Sequence, residues 1–262
     1  MPTSHLSSLL RKPQTRLITV EDPGHLGFDY TIRLSKRKSA AIEVRAGKVV
    51  VAAPHRVAQR DLKKWVNEKA AWIRDKLQQQ ADRAEQIPER QYAEGESWPW
   101  LGEPLTLRIL SGAKISCERR GESLCLSLPK RITSDTSRPA SSAVQRALEN
   151  WYKEQAQTLL EAKTQAVCQQ LQARFPQAQC QRVQLRRTKS KWGHCTHQGV
   201  IQYNWLVVQA PEWVVDYLVT HECCHLVHHN HSRSYWNLVA SLMPNYALAR
   251  RWLHQHGHTL VV

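Results

Sequence analysis

The sequence predicts an α+β fold, with a β-rich N-terminal part and a helix-dominated C-terminal part. Short runs of β-formers separated by turn residues recur up to about residue 128. A long stretch with helical apolar spacing begins near residue 140. The C-terminal part then carries His221-Glu222-Cys223-Cys224-His225 within a second helical pattern.

Residues 1–25 read as a flexible tail. Strands are expected over residues 30–34, 40–44 and 49–53, with turns at 36–39 and at Ala46-Gly47. Asp61 is placed to cap a helix that carries Leu62, Trp65, Val66, Ile73 and Leu77 on one face. Trp65 and Trp72, one heptad apart on that helix, read as packing residues rather than base-stacking ones. Gly95, Pro99, Gly102 and Pro104 mark a connector over residues 94–104, followed by strands at 105–110 and 124–128. Residues 134–139 read as a hinge, and a helix over 140–171 should bury Val144, Leu148, Trp151, Leu159 and Val167. Residues 200–208, bounded by Gly199 and Pro211, read as a strand. Pro211 suits a first helical turn, and Asn230 tolerates the left-handed stop. The helix between them would run roughly five turns. No internal repeat is visible. The expected organisation is a tail (1–25), a β-rich subdomain with one helix (26–135) and a catalytic domain (136–262).

His221 and His225 stand one turn apart on one helix face, so both imidazoles can reach one Zn²⁺. Glu222 is angled to hold a water beside the ion rather than the ion itself, as in zinc hydrolases. A catalytic zinc usually takes a third protein ligand and keeps one position open. No Asp or Glu follows Glu222, so the third ligand must be sought among His228, His229, His231, His254, His256 and His258. His228 lies about 10 Å along the axis from His221 at ~1.5 Å per residue, too far for bonds of about 2 Å. His229 is rotated away from the pair. His231 follows the expected turn at Asn230 and can fold back, so it is preferred. His254, His256 and His258 read as a solvated tail. The competing structural account is a satisfied core histidine pair beside a His-rich surface.

The formal charge is +15, and seven Lys or Arg with no acid lie between Lys163 and Pro211. Such a surface attracts phosphates, so a nucleic acid or nucleotide is an expected partner beside a peptide or protein substrate. A solvated charged face explains the same residues. Seven cysteines without framework spacing suit free thiols in a reducing compartment. Residues 1–23 hold no apolar run suited to a signal peptide or a membrane span. A cytoplasmic protein with no membrane partner is therefore expected; the oligomeric state is not legible.

Thr220 to Leu226, Asn230-His231-Ser232 and Tyr235-Trp236 resemble the YgjP-like metallopeptidases, which are related to SprT-like zincins. Arg187, Lys189, Lys191-Trp192-Gly193, Cys195 and Asn204-Trp205 extend the resemblance, which is sharp over residues 183–256. It implies a zincin-like catalytic domain with an active-site helix beside an edge strand. It further implies His221, His225 and His231 on zinc and Glu222 as general base. Asn204 and Trp205 would border a peptide cleft along the edge strand. His194, Tyr235 and Arg187 are candidates to steady an oxyanion. His194 replaces a more usual Ser, and Cys223 is an unusual residue inside the motif. The alternatives are a metal-dependent nucleotide phosphoanhydride hydrolase and a nucleic-acid-associated protein with a structural metal.

Overall fold

The computed structural model describes residues 15–130, 140–188 and 190–262. The chain forms two compact units, Met1–Gln86 and Ile87–Val262. The fold is α+β, as the patterning predicts.

The first unit contains β1 (Arg16–Val20), β2 (Tyr30–Ser35), β3 (Ala41–Arg45) and β4 (Lys48–Pro54), in the order β1-β2-β4-β3. β2 and β4 are parallel and the outer pairs antiparallel. Ala46 and Gly47, both at positive φ, close the β3–β4 hairpin, as a two-residue turn requires. Tyr30, Ile32 and Leu34 alternate inward from β2 and meet Val49, Val51 and Ala53 of β4. α1 (Gln59–Glu68) and α2 (Ala70–Glu85) cover them with Leu62, Val66 and Ile73. Several expectations change here. Residues 16–20 of the expected tail pair with β2 as an edge strand. Among the described residues two helices, α1 and α2, stand where one was expected. α1 starts at Gln59 behind Ala58, so Asp61 lies within the first turn, where its charge favours the helix dipole, and caps nothing. Trp65 packs on the core, whereas Trp72 is 44% exposed.

The second unit opens with β5 (Ser97–Trp100), β6 (Glu103–Ser111), β7 (Ser116–Arg120) and β8 (Ser123–Leu128). Their order is β5-β6-β8-β7, again with one central parallel pair. This repeats the first sheet strand for strand, although the sequence shows no repeat. The sequences that follow the fourth strands do echo each other, as Pro54-His55-Arg56-Val57 and Pro129-Lys130-Arg131-Ile132. Leu105, Leu107, Leu124 and Leu126 are buried against α3 (Ala140–Gln172), which brings Val144, Leu148, Trp151 and Tyr152. The Tyr152 hydroxyl donates to the Pro99 carbonyl at 2.7 Å, and Trp151 meets Trp100 edge-on at 5.3 Å. Because these strands share one core with α3, the division falls at 86/87 rather than at 135/136. The expected hinge at 134–139 lies outside the described residues.

A third sheet, β9 (Arg182–Arg186), β10 (Gly193–Cys195) and β11 (Val200–Asn204), has the order β10-β11-β9. β11 is central, so the edge strands are β10 and β9 and not the expected segment 200–208. β11 also stops early: Asn204 Oδ1 accepts the Leu206 N–H at 3.2 Å, and residues Trp205–Gln209 wind into a 3-10 turn. α4 (Glu212–Cys224) follows, then α5 (Arg233–Leu242) and α6 (Tyr246–His256). All seven cysteines are free thiols. Among the described residues, no helix is long and apolar enough to cross a membrane.

The β5–β6 turn sets the start of α4. Leu101 N–H donates to the Val208 carbonyl at 2.7 Å. Gly102 sits at φ +85°, and a Cβ there would stand 2.9 Å from the Pro211 Cα. Gly102→Ala therefore combines left-handed strain with a backbone clash. It should destabilise the protein by about 1–3 kcal/mol, read as the shift in the urea midpoint at unchanged slope.

Candidate metal centre

α4 is shorter than five turns because its C-terminus tightens. Beyond Cys224 the N–H groups of His225, Leu226 and Val227 donate to carbonyls three residues back, at 3.0 to 3.2 Å. His225 Nδ1–H donates to the His228 carbonyl at 2.9 Å. Asn230 Oδ1 then accepts the Ser232 N–H, and Ser232 caps α5 through the Tyr235 N–H. The chain so turned returns His231 to the end of α4.

The ligand atoms of His221, His225 and His231 all lie within 4.8 Å of one another. Nε2 of His231 stands 3.3 Å from Nε2 of His221. Two nitrogens on one tetrahedral zinc at 2.0–2.1 Å are about 3.3 Å apart, so the spacing fits a metal. The electrostatics fit as well. Burial, reinforced by His225 and His231, pushes His221 down to about 3, and burial lowers His225 too. Neutral imidazoles are the ligand form. The His228 carbonyl is an acceptor only, so it fixes the proton of His225 on Nδ1 and leaves Nε2 free to bind. Tyr235 stacks on His225 at 4.5 Å and donates its hydroxyl to the His221 carbonyl at 3.0 Å. Trp236 stacks on His231 at 5.5 Å.

Glu222 is 3% exposed. Its side chain lies against Gly193 of β10, where a Cβ would come within 2.6 Å of Cγ and Cδ. The glycine is thus a requirement of the close approach between α4 and β10. Among the described residues no hydrogen-bond donor reaches this carboxylate, and burial raises it to about 8 against the pull of Lys191. Cys223, on the opposite side of the helix end, packs against Cys168 of α3 with 4.0 Å between the sulfurs. This inward role accounts for a small, soft residue inside the motif.

A cavity of about 570 Å³ opens over the site, walled by residues 191–195, α4 and α6. His194 lines it, as do Lys191, Arg250 and His254. The other expected contacts lie elsewhere. Asn204 and Trp205 are buried behind β10, with the Asn204 amide donating to the Thr188 carbonyl. Arg187 pairs with Glu149 at 3.3 Å and donates to the Val262 carbonyl. Tyr235 is committed to His221. His228 meets Phe175, and His229 meets His197 at the rim. His254 and His256 of the expected solvated tail are exposed, but they stand on α6, and the turn that follows it buries Leu260 and Val262. Sequence reasoning missed Arg250, whose guanidinium lies 5.0 Å over Trp236. The spacing of Arg250, Leu253 and His254 along one helical face was the available signal.

The buried carboxyl has a consequence for the metal-free protein. Glu222 binds its proton up to about pH 8 when folded but only to about 4.5 when unfolded. Stability from this group is complete below 4.5 and is lost as pH rises through about 8. Metal-free wild type should therefore lose thermal stability relative to Glu222→Gln across that window. Melting both proteins over a pH series checks it; a constant difference would mean an ordinary carboxyl.

A model of the YgjP-like metallopeptidase domain matches residues 38–256. No curated protein matches the chain. The family match takes in the strand that carries Gly193 and the helix that carries Glu222, and the chain belongs to the YgjP-like metallopeptidase family, whose members are hydrolases with a metal cofactor.

Proposed function

We propose that the protein is a zinc metallopeptidase, with His221, His225 and His231 holding the ion and Glu222 acting as general base. The observation that carries this reading is the convergence of three imidazoles, two of them held neutral by burial, beside a buried carboxyl group that no donor among the described residues satisfies. Three nitrogen ligands, with no fourth protein group among the described residues, leave an open position, as a catalytic rather than structural zinc needs. When bound, the ion supplies Lewis acidity, polarising a carbonyl and lowering the pKa of water toward ~7. Glu222 accepts the proton of the attacking water at a carboxylate oxygen and returns it to the leaving amine nitrogen. Gly193 keeps that carboxylate in place by offering no side chain. Of the three groups expected to steady an oxyanion, Tyr235 and Arg187 already have other partners, so His194 on the cavity wall takes that role. An extended peptide would pair with the outer edge of β10, where backbone hydrogen bonds give affinity without strict sequence choice.

A phosphoanhydride substrate draws on a different observation: Lys191 and Arg250 are cations on the same cavity wall. One experiment separates the two. Wild type and Glu222→Gln are analysed for metal and assayed against a peptide library and a nucleoside triphosphate panel. The expected result is one zinc per chain in both, peptide cleavage by wild type, and a loss of roughly 10²–10⁴-fold in the variant. Cleavage of triphosphates alone would transfer the site to the second substrate class. His231→Ala should lose zinc while retaining the helical circular dichroism of the wild type. Full metal retention would remove His231 from the ligand set. Gly193→Ala should keep zinc and lower kcat, because the added methyl displaces Glu222 rather than an imidazole; unchanged kcat would show that Glu222 needs no such fixed seat.

A further inference from the structure

In the first unit, β2 and β4 run parallel and adjacent, so both end at one edge of the sheet, with Ser35 opposite Pro54. Lys36-Arg37-Lys38 leaves β2 there, and His55-Arg56 leaves β4. These basic residues line an open cavity of about 350 Å³ together with Ser35 and Pro54. A crevice beyond the carboxyl ends of adjacent parallel strands is where α/β sheets hold ligands. No acidic residue and no Phe, Tyr or Trp lines this one. Among the described residues a single carboxylate approaches it: Glu43 reaches Arg37 at 4.0 Å but stands nearer Arg33, at 3.3 Å. Among the described residues no carboxylate pairs with Lys36, Lys38 or Arg56. Gathering like charges without counter-charge is unfavourable until an anion neutralises them.

We propose that this cavity binds the phosphodiester backbone of a nucleic acid. A free nucleotide would need a broad face for its base, and the lining offers one small ring, the His55 imidazole, among five cationic or polar neighbours suited to phosphate oxygens. The cations are of the two kinds that serve phosphate oxygens, forked guanidinium and mobile ammonium. The cavity is open, so a chain can pass across it rather than end in it. The overall charge of +15 supplies long-range attraction. Binding to phosphates alone carries no base information, so recognition here is independent of sequence. None of this rests on the peptidase reading of the second unit.

The test uses the full chain. Fluorescence anisotropy with labelled oligothymidylate is measured over a salt series for three proteins. These are the wild type, Lys38→Gln/Arg56→Gln, and the control Lys63→Gln/Lys64→Gln, which removes the same charge from the exposed surface of α1. The pocket variant should flatten the slope of log affinity against log salt by about 0.7 for each phosphate it no longer neutralises. The control should keep the wild-type slope. An equal weakening in both variants would reduce the effect to net charge and overturn the site. Absence of binding by wild type at low salt would overturn it too, as would binding of phosphatidylserine vesicles without the oligonucleotide. A second readout needs no variant: bound oligonucleotide should protect Lys36 and Lys38 of the wild type from acetylation while Lys63 and Lys64 stay labelled. The reverse pattern of protection would sink the proposal.

Discussion

The site depends on the close approach of α4 to β10, with the Glu222 side chain lying where a Cβ of residue 193 would otherwise be. Each larger element of the second unit serves that approach. The β5–β6 turn abuts Pro211 and sets where α4 begins. α3 supports the end of α4 from below, where Cys168 meets Cys223. β11 holds β10 in register, with Gly193 opposite Tyr203. A methyl group at Gly102 would press on the start of the helix that carries the carboxylate and two imidazoles, and one at Gly193 would displace the Glu222 side chain.

Burial then decides the chemistry. A solvated histidine is partly charged near neutral pH. His221 is held neutral by the apolar and aromatic walls around it, and burial lowers His225 too, against the pull of the His228 carbonyl that fixes its proton on Nδ1. The same burial raises Glu222 in the absence of an ion. A cation at the imidazoles would supply the opposite charge that a buried carboxylate lacks, so metal and base favour each other's working state. Aromatic stacking by Tyr235 and Trp236 keeps the rings oriented when no ion is bound.

One strand arrangement recurs through the chain. Each sheet contains a parallel pair whose second strand also forms a hairpin, as in β2-β4-β3, β6-β8-β7 and β9-β11-β10. In the first two the preceding strand adds an antiparallel edge, and helices cover the sheet. A parallel pair brings two loops to one end of a sheet. In the first unit that geometry collects basic loops.

The sequence by itself determined the α+β class, the strands β2, β6 and β8, the inward face of α3, and the pairing of His221 with His225. Each depends on local periodicity, which a side-chain pattern records directly. It also narrowed the third imidazole to His231 by elimination, because no later carboxylate exists. Only the tertiary structure decided that Asn204, Trp205 and Arg187 stand away from the cavity while Lys191, Arg250 and His254 line it. It likewise set the early end of α4 and the identity of the edge strand. Those outcomes depend on which segments meet across long stretches of chain, and on whether a side chain such as Asn204 bonds its own backbone in preference to continuing a strand. Spacing along the chain carries no record of either, since each is settled by packing partners distant in sequence.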